Sequence, residues 1–458
     1  MSRSHRWGRG VWATAAGTVG LLAVAAWAGL PPLSLAPHVD VPLGPTGCTA
    51  GVDCSEGTWA LTAGDFNGDG HLDIATANNG SDDATIFLGD GNGGMTLSST
   101  LIAGAAPVSI ASGNLNGDTV IDLVVVNETD NNVYIYIGKG DGGFEEGVPL
   151  QMGDSPESVV LADFNGDGFL DLATADLFGD TVSVRLGNGD GTFGDIKTTD
   201  IPGGPIALAT GHFDSGNTVD LAVSLNDDSA VGILLGNGDG LFLLAGTTAV
   251  EESPQGLAIA DYNGDQLDDV AVATEYFDTL DVLLNTGDGV LDAPVPYLVG
   301  GFPEDVAAGD FNGDGITDLV TADSFGTDEF EGSVSVLLGN GDGSFQEAQP
   351  FETDIGPWAV VAADLNNDRL PDIVTANVDG SDISILNNTG TPPTPSCVGD
   401  CNNDGSVTIN ELITGVNIAL GTAQLDACPS FDANGDGMVG INELISAVNN
   451  ALSGCPAA

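Results

Sequence analysis

Short apolar runs separated by turn residues recur along most of this chain. In one such stretch, Ser158–Ala162 and Leu172–Ala175 are apolar, and every second residue of Thr181–Leu186 is apolar. A period of two residues predicts strands with one buried face. The glycine-rich segment 187–191 predicts a hairpin turn, so we expect Thr192–Lys197 to form a fourth, outer strand.

A nine-residue acidic segment, Asp-Phe-Asn-Gly-Asp-Gly-x-x-Asp, accompanies these strands seven times, complete or decayed. The first six copies start 49 residues apart and the last step is 54 residues; the copies occupy 65–73, 114–122, 163–171, 212–220, 261–269, 310–318 and 364–372. A fixed period of this length indicates a repeat architecture. Four short antiparallel strands per repeat predict an all-β fold, a seven-bladed β-propeller.

Two details of the repeats bear on how the ring is built. The residue before each acidic segment is always Gly or Ala, which suits inner strands that crowd toward one axis. The seventh repeat stops near Leu386 without an outer strand of its own. Residues 38–46 are predicted to supply that strand and to close the ring, which removes an exposed edge.

The rest of the chain divides where the composition changes. Three arginines precede an apolar stretch, Val11–Leu30, which predicts a signal peptide that is cleaved after Ala28 or Ala36 or stays as a membrane anchor. We therefore expect the protein to be secreted or displayed at the cell surface. The predicted segments are a signal peptide at 1–36, the propeller at 37–388, a stiff Pro/Thr linker at 389–396 and a small all-α module at 397–458.

The charge balance narrows the range of partners. The chain has 67 Asp and Glu but seven Lys and Arg, a formal net charge of -60. Nucleic acids and anionic membrane surfaces are bound mainly through Lys and Arg, so both are excluded as partners. Such an acidic chain suits bound cations instead.

The six cysteines all lie in the part that would be exported, where an even number predicts disulfides. Cys48 and Cys54 are the natural local pair. Cys397, Cys401, Cys428 and Cys455 allow three connectivities.

The acidic segments carry oxygen ligands at a spacing that suits Ca2+, which takes six to eight oxygens. Positions 1, 3, 5 and 9 offer side-chain oxygens, position 7 offers a carbonyl, and Gly at position 6 permits the sharp turn. The predicted ligands are Asp65, Asn67, Asp69 and Asp73 in repeat one; Asp163, Asn165, Asp167 and Asp171 in repeat three; Asp261, Asn263, Asp265 and Asp269 in repeat five; Asp310, Asn312, Asp314 and Asp318 in repeat six; and Asp364, Asn366, Asp368 and Asp372 in repeat seven.

Not every copy is complete. Repeats five and seven carry Gln266 and Arg369 at the glycine position, and repeat two starts with Asn114. Repeat four has His212 and Gly216 at ligand positions and is predicted to bind no metal. The alternative is that all these segments are only Asx-turns between strands. In that case the carboxylates of each loop would repel one another without a cation.

Two further acidic segments in the C-terminal module match the twelve-residue EF-hand loop. Each is followed by a helix with apolar periodicity, at 411–420 and 443–452. The predicted ligands are Asp400, Asn402, Asp404, Thr408 and Glu411 in the first loop, and Asp432, Asn434, Asp436 and Glu443 in the second.

The acidic segment and the motif Leu-Leu-Gly-Asn-Gly-Asp-Gly-x-Phe, as in 337–345, resemble the FG-GAP/VCBS repeat, the blade unit also found in the integrin α-subunit head. This resemblance covers roughly residues 60–390. It implies that the acidic loops bind calcium and that the top face of the propeller serves recognition.

The C-terminal module resembles dockerin, a paired calcium-loop domain that docks exported proteins onto cohesin partners. The module differs in ending each loop with Glu rather than the more usual Asp, and in carrying four cysteines. The resemblance implies calcium binding and a cohesin-like partner. The alternative is a disulfide-stapled calcium cap without a partner.

The loops between the second and third strands differ in every repeat and are expected on the face opposite the acidic loops. Variable loops on one face of a repeat protein indicate the binding face. Tyr276, Phe277, Phe325 and Phe330 are the predicted contact residues for an extracellular glycan or protein ligand. The alternative is that these aromatic residues only cap the propeller core.

The sequence shows no pairing of Ser with His, no cysteine nucleophile, no nucleotide-binding glycine motif and no zinc set. We therefore expect no enzymatic activity. An exported calcium-binding adhesion or recognition protein is favoured. The alternatives are a secreted carbohydrate-active enzyme and a surface scaffold that docks through the C-terminal module.

Overall fold

A computed structural model describes residues 33–43, 57–325, 332–390, 398–399, 401, 406–420, 423, 428–431 and 439–453. In these residues 28 strands form seven four-stranded antiparallel sheets. The predicted seven-bladed β-propeller is therefore confirmed. Within the same residues no helix combines the length and the apolar character needed to cross a membrane.

Each blade is built from consecutive strands, except the seventh. The first four blades are formed by β2 (Thr58–Gly64), β3 (Asp73–Asn78), β4 (Asp83–Gly89) and β5 (Met95–Ile102); β6 (Pro107–Gly113), β7 (Asp122–Asn127), β8 (Asn132–Tyr136) and β9 (Val148–Gln151); β10 (Pro156–Ala162), β11 (Asp171–Asp176), β12 (Thr181–Arg185) and β13 (Lys197–Asp200); and β14 (Pro205–Gly211), β15 (Asp220–Leu225), β16 (Ala230–Gly236) and β17 (Phe242–Ala249). The last three are formed by β18 (Pro254–Ala260), β19 (Asp269–Thr274), β20 (Thr279–Leu283) and β21 (Val295–Leu298); β22 (Gly301–Gly309), β23 (Asp318–Phe325), β24 (Gly332–Leu337) and β25 (Gln349–Thr353); and β26 (Pro357–Ala363), β27 (Asp372–Asn377), β28 (Asp382–Leu386) and β1 (Val39–Pro42).

Blade seven joins the two ends of the ring, as predicted. Its strand order is β1–β28–β27–β26, and Val39 of β1 lies opposite Ile385 of β28. Ahead of β1, Leu33 and Leu35 pack against the core. Residues 33–36 are thus part of the ring. Of the two predicted cleavage positions, Ala28 is the one that leaves this packing intact.

The outer strand of blade three starts later than the sequence pattern suggests. In blade three the prediction of Thr192–Lys197 was wrong, because β13 begins at Lys197 and pairs with β12. Phe193 instead forms an isolated bridge to Gly187 and packs against the core. The hairpin is longer than predicted because its aromatic residue is buried between blades.

Aromatic residues of the two repeated motifs form much of the core between blades. The second residue of every acidic segment is buried; these residues are Phe66, Leu115, Phe164, Phe213, Tyr262, Phe311 and Leu365. Three of them pair with the aromatic residue that follows the hairpin of the next blade: Phe66 with Phe144, Phe164 with Phe242 and Tyr262 with Phe345, at ring-centroid distances of 5.7, 5.5 and 5.5 Å. Each such buried side chain contributes about 1.5–3 kcal/mol by burial alone. The aromatic positions of both motifs are therefore packing residues.

The described part of the C-terminal module contains two helices, α1 (Ile409–Ala419) and α2 (Ile441–Ser453). Both begin two residues before the predicted starts. Thr408 caps α1, with its side chain and that of Glu411 each bonded to the other's backbone N–H, the capping-box arrangement. Cys401 forms a disulfide with Cys428. The predictions for Cys48, Cys54, Cys397 and Cys455 lie outside the described residues.

Candidate calcium loops and the variable-loop face

The acidic loops orient their side-chain oxygens through their own backbone. In repeat one, Asp65 accepts hydrogen bonds from the N–H groups of Gly68 at 2.7 Å and Gly70 at 2.9 Å. Asn67 Oδ1 accepts from the N–H of Asp69 at 2.8 Å. Repeats three and six repeat this pattern around Asp163 and Asp310. These hydrogen bonds form Asx-turns, as in the alternative interpretation that the segments are only turns between strands. When no cation is bound, they offset part of the repulsion between the carboxylates of one loop.

The ninth residue of each segment has a structural role of its own. In every repeat this Asp is fully buried, and its two oxygens accept one N–H from the second residue of the loop and one from the start of the following hairpin. In repeat one the donors to Asp73 are Phe66 N and Gly89 N, at 2.9 and 2.8 Å. The equivalent residues are Asp122, Asp171, Asp220, Asp269, Asp318 and Asp372.

Asp220 accepts the same two backbone hydrogen bonds in repeat four, where His212 and Gly216 stand at positions 1 and 5 in place of oxygen ligands. Burial raises the pKa of the Asp318 carboxyl to about 7 and that of Asp171 to about 6, although backbone N–H groups partly oppose the shift. The sequence pattern alone could not separate this structural role from that of a ligand. The ninth position as a calcium ligand stays a prediction.

The described residues contain one group of three acidic side chains whose oxygens all lie within 4.8 Å of one another. This group is Asp40, Asp354 and Asp382 in blade seven, where sequence analysis placed no site.

In the acidic loops the ninth carboxylate is held by the backbone, so the side-chain oxygens of positions 1, 3 and 5 are the ones oriented by the exposed turn. Hard oxygen donors of this kind suit calcium.

The decayed repeats keep the loop conformation to different degrees. Gln266 and Arg369 occupy the glycine position with φ of 70° and 76°, and their N–H groups donate to Asp261 and Asp364, both at 2.8 Å. Repeat four differs, because the N–H of His212 donates to Asp268 of the next repeat at 2.7 Å. Repeats five and seven therefore retain the turn, and repeat four does not retain its ligands.

Replacing Gln266 by Gly is expected to raise the free energy of unfolding by about 1 kcal/mol, because a left-handed backbone costs a residue with a Cβ about 1–2 kcal/mol. The matched control is Gln346→Gly, at an exposed position outside the positive-φ residues, where added chain entropy should destabilise. Denaturant unfolding of both variants provides the measurement. Equal stabilities of the two variants would contradict the strain at Gln266.

Each acidic loop also holds the neighbouring blade. In five of the seven loops a hairpin glycine of one blade donates its N–H to the carbonyl of the second loop residue in the preceding blade; the pairs are Gly93 with Leu365, Gly142 with Phe66, Gly191 with Leu115, Gly289 with Phe213 and Gly343 with Tyr262, at 2.8–3.3 Å. In repeat six Asn388 Nδ2 donates to Phe311 O at 2.8 Å, and in repeat three the ring of Phe164 contacts that of Phe242. The predicted placement of acidic loops and hairpins on one face is thus confirmed. Ordering of a loop stabilises the contact between two blades.

The loops between second and third strands lie on the opposite face, which we call the variable-loop face. In blade three, for example, Leu177 N donates to Ser155 O of the blade crossing at 2.8 Å. Tyr276 and Phe277 are 61% and 47% exposed on this face. Phe302 joins two predicted contact residues, with ring centroids 6.2 Å from Tyr276 and 5.3 Å from Phe325. Phe330 lies outside the described residues.

Sequence analysis missed Phe302. It lies at the start of β22 rather than in a variable loop, and its backbone has a φ of 54°. The Gly-Gly pair that precedes it was the available signal, because it marks a sharp turn at that point.

A second feature of the variable-loop face is a set of acids buried beneath it. Asp323 accepts hydrogen bonds from Thr321 Oγ1 at 2.7 Å and Ser335 Oγ at 2.6 Å. Burial raises the pKa of this carboxyl to about 7, against the effect of the hydroxyl donors. Burial likewise raises the pKa of Asp176, which accepts from three hydroxyl groups.

We expect the metal-free protein to melt at a higher temperature at pH 5 than at pH 8. Because the folded-state pKa of Asp323 lies above the ordinary value of 3.8 for an aspartate, the folded state holds the proton more tightly. This contribution is complete below about pH 4 and is lost as the pH rises through about 7. Asp323→Asn should remove part of the dependence, while Asp227→Asn, at an exposed position, should preserve it. Equal pH profiles of the two variants would contradict the assignment.

In the C-terminal module the structure joins the two ends of the first predicted EF-hand loop. Glu411 Oε2 accepts the N–H of Thr408 at 2.7 Å, and Glu411 Oε1 accepts the N–H of Cys401 at 3.0 Å. The predicted ligands Asp400, Asn402, Asp404, Asp432, Asn434 and Asp436 lie outside the described residues. Glu443 lies within α2, but its side chain is not among those described.

The two helices expose apolar residues at matching positions. Sequence analysis did not distinguish these residues from the apolar residues on the buried face of each helix. The exposed residues are Ile413, Val416 and Leu420 of the first repeat and Ile445, Val448 and Leu452 of the second. Gly415 and Ala447, at equivalent positions, are buried. The module therefore presents the same apolar stripe twice.

Comparison with known families agrees with this geometry. A model described as FG-GAP-like repeat matches residues 65–125, 114–174, 261–321 and 310–375. These stretches of the chain are similar to FG-GAP-like repeats. No curated protein matches the chain.

Solved structures share the fold of these FG-GAP-like repeats at low sequence identity. BBS1N in complex with ARL6DN is 16% identical, with a TM-score of 0.53 over 79% of this chain and 98% of that chain. A streptogramin B lyase is 14% identical, with a TM-score of 0.53 over 77% and 97% of the two chains. The periplasmic gluconolactonase PpgL of Pseudomonas aeruginosa is 16% identical, with a TM-score of 0.50 over 70% and 88%. At this identity the similarity shows the fold alone.

Proposed function

We propose that this protein is an exported recognition protein whose propeller is stabilised by calcium and binds a glycan or protein ligand on its variable-loop face. The observation that carries the proposal is the difference between the two faces of the propeller. One face repeats the same acidic turn, and the other differs in every blade and exposes aromatic side chains such as Tyr276 and Phe277. Aromatic rings stack on sugars and fill protein pockets.

In this proposal the residues that would hold calcium are those at positions 1, 3 and 5 of the complete loops in repeats one, three and six; repeats five and seven retain the turn but carry Gln266 and Arg369 at the glycine position. Calcium supplies charge neutralisation there and has no catalytic part. The ninth Asp orients the loop against the hairpin through its two backbone hydrogen bonds. Because each loop also binds the next blade, we infer that calcium stabilises the ring as a whole.

The test is binding of the full chain to an array of glycans and extracellular matrix proteins, with calcium and with a chelator. A Tyr276→Ser, Phe277→Ser variant should lose the binding. The control Phe169→Ser replaces an exposed aromatic residue of an acidic loop and should keep it. Equal binding by both variants would place the ligand elsewhere. Turnover of an arrayed polysaccharide would favour the enzyme alternative, since enzymes occur among the solved structures of this fold.

A second candidate function is that of a cargo protein docked onto a cohesin-like partner through the C-terminal module. The matching exposed stripes of the two helices favour it, since three exposed apolar residues on each helix are unusual without a partner. Ile413→Asp with Ile445→Asp should abolish such docking and leave propeller binding unchanged. Pull-down with an immobilised cohesin domain provides the measurement, and retention of this double variant would exclude this function for the stripes.

A further inference from the structure

The inner strands of the seven blades each carry a β-bulge near the variable-loop face, and we call these ends of the inner strands, around the propeller axis, the mouth. In six inner strands the bulge follows the first residue, and in β22 it follows Pro303, the third residue. Because the bulges recur at the same register, the bulge residues lie at equivalent positions around the axis. They are Trp59, Val108, Glu157, Ile206, Gln255, Glu304 and Trp358.

Two of these residues, from the blades on either side of the ring closure, form an aromatic pair. The ring centroids of Trp59 and Trp358 lie 4.8 Å apart, with the planes tilted by 39°. Both residues are half-buried. The pair offers the electron-rich ring faces that attract cations, for which Trp is the best aromatic side chain.

Glu304 lies in blade six, next to blade seven, which carries Trp358. It is 7% exposed. Ser324 Oγ lies 3.1 Å from the carbonyl of Pro357, next to Trp358, and 3.5 Å from Glu304 Oε1. Because a hydroxyl group has one proton, the nearer carbonyl takes it, and Glu304 keeps a weak partner. A nearly enclosed carboxylate therefore lies beside the tryptophan pair without a strong donor.

A second carboxylate lies close to Glu304. Glu275 Oε2 accepts hydrogen bonds from Ser253 Oγ at 2.8 Å and Gln255 Nε2 at 3.1 Å, which fix its position at the mouth. Burial, and then the negative charge of Glu275, raise the pKa of Glu304 well above its ordinary value. A cation bound beside the two acids would offset the burial and the repulsion and would favour the charged form of Glu304.

The chain supplies no such cation on this face in the part that the structure describes. Its Lys and Arg residues there lie toward the acidic-loop face: Lys139 donates to Phe144 O, Arg185 to Gly194 O and Lys197 to Asp239 O, and Arg369 belongs to the acidic loop of repeat seven.

We propose that this mouth binds an alkylammonium group, with the cation against the faces of Trp59 and Trp358 and its charge balanced by Glu304 and Glu275. The ligand is either a free amine or the side chain of a lysine in a partner protein. The inference rests on the proposed function only in assigning recognition to the variable-loop face.

Tryptophan fluorescence provides the test. The chain has five Trp residues, so replacing Trp7, Trp12 and Trp27 by Phe in the full chain leaves the pair as the sole emitters. Choline is titrated against its neutral isostere, 3,3-dimethylbutan-1-ol, at 0.5 M NaCl to suppress long-range attraction. We expect saturable quenching by choline alone. Trp358→Phe and Glu304→Gln should each weaken it about tenfold, and Glu146→Gln, which removes one exposed charge elsewhere, should leave it unchanged.

Quenching by the neutral alcohol at equal affinity, no saturation by choline, or unchanged affinity in Glu304→Gln would each overturn the proposal. Spermidine and a lysine-containing peptide then distinguish the two sources, since the natural class should bind more tightly than choline. The assay uses no array ligand. Failure here with array binding intact would overturn this inference alone, and saturable choline binding with a silent array would overturn the proposed function alone.

Discussion

Chelation of calcium is expected to lower the melting temperature of the full chain by about 10 °C. A ligand at a hundredfold excess over its dissociation constant adds about 2.7 kcal/mol per site, so the three complete loops together contribute about 8 kcal/mol. For a domain of about 350 residues the unfolding entropy, about 2.1 cal/mol/K per residue, converts this into the stated shift. Differential scanning calorimetry with calcium and with EGTA measures it.

Variants of single loops separate calcium binding from simple damage to a turn. Asp163→Asn with Asp167→Asn removes charge from a complete loop, so the calcium-dependent part of the melting temperature should fall by about a third. Asp214→Asn, in repeat four, should leave that part unchanged. For each variant the melting temperature with chelator is subtracted from that with calcium. This difference removes any effect of the substitution on the stability of the metal-free protein. An unchanged melting temperature of the parent protein on chelation would refute the calcium sites.

Replacing Asp220 by Asn is expected to lower the free energy of unfolding by about 3 kcal/mol, equally with calcium and with chelator. Both oxygens of this buried carboxylate accept backbone N–H groups, Phe213 N at 2.9 Å and Gly236 N at 2.8 Å. An amide turns its own donor toward one of them, and an unpaired buried group costs about 1–3 kcal/mol, with more for charged partners.

The matched variant is Asp318→Asn, in the complete loop of repeat six. Its donors, Phe311 N and Gly339 N, lie at 2.9 and 2.8 Å, so the structural cost should be the same with chelator. In calcium the loss should be larger by about 2.7 kcal/mol, the contribution of one site. Urea unfolding in both conditions measures the two terms. If Asp220→Asn leaves the free energy of unfolding unchanged, the two backbone hydrogen bonds that join loop and hairpin do not contribute the stability we assign to them.

Much of the ring could be predicted from the sequence because each repeat carries its own local information. The period, the alternation and the glycines of the hairpins define blades, and the missing outer strand of repeat seven indicated closure by β1. Local information also explains the error in β13. The sequence pattern predicts Phe193 to be a strand residue, yet its side chain packs against the core between two blades. This contact exists only in the assembled propeller.

The candidate sites divide in the same way. The loop residues Asp65, Asn67 and Asp69 could be predicted from their spacing, because all three lie within one turn. The role of Asp73 was not, since its second donor, Gly89 N, comes from the following hairpin. The pairing of Trp59 with Trp358 was beyond sequence analysis, because ring closure brings together residues that are far apart along the chain.

The identity of the acidic loops as metal sites can be observed directly in crystals grown with calcium and then exchanged with terbium, using anomalous scattering to locate the ions. We predict an ion in the loops of repeats one, three and six, beside Asp65, Asp163 and Asp310, and none beside Asp214 in repeat four. Complete loops without an anomalous peak would contradict calcium as the stabilising partner of this propeller.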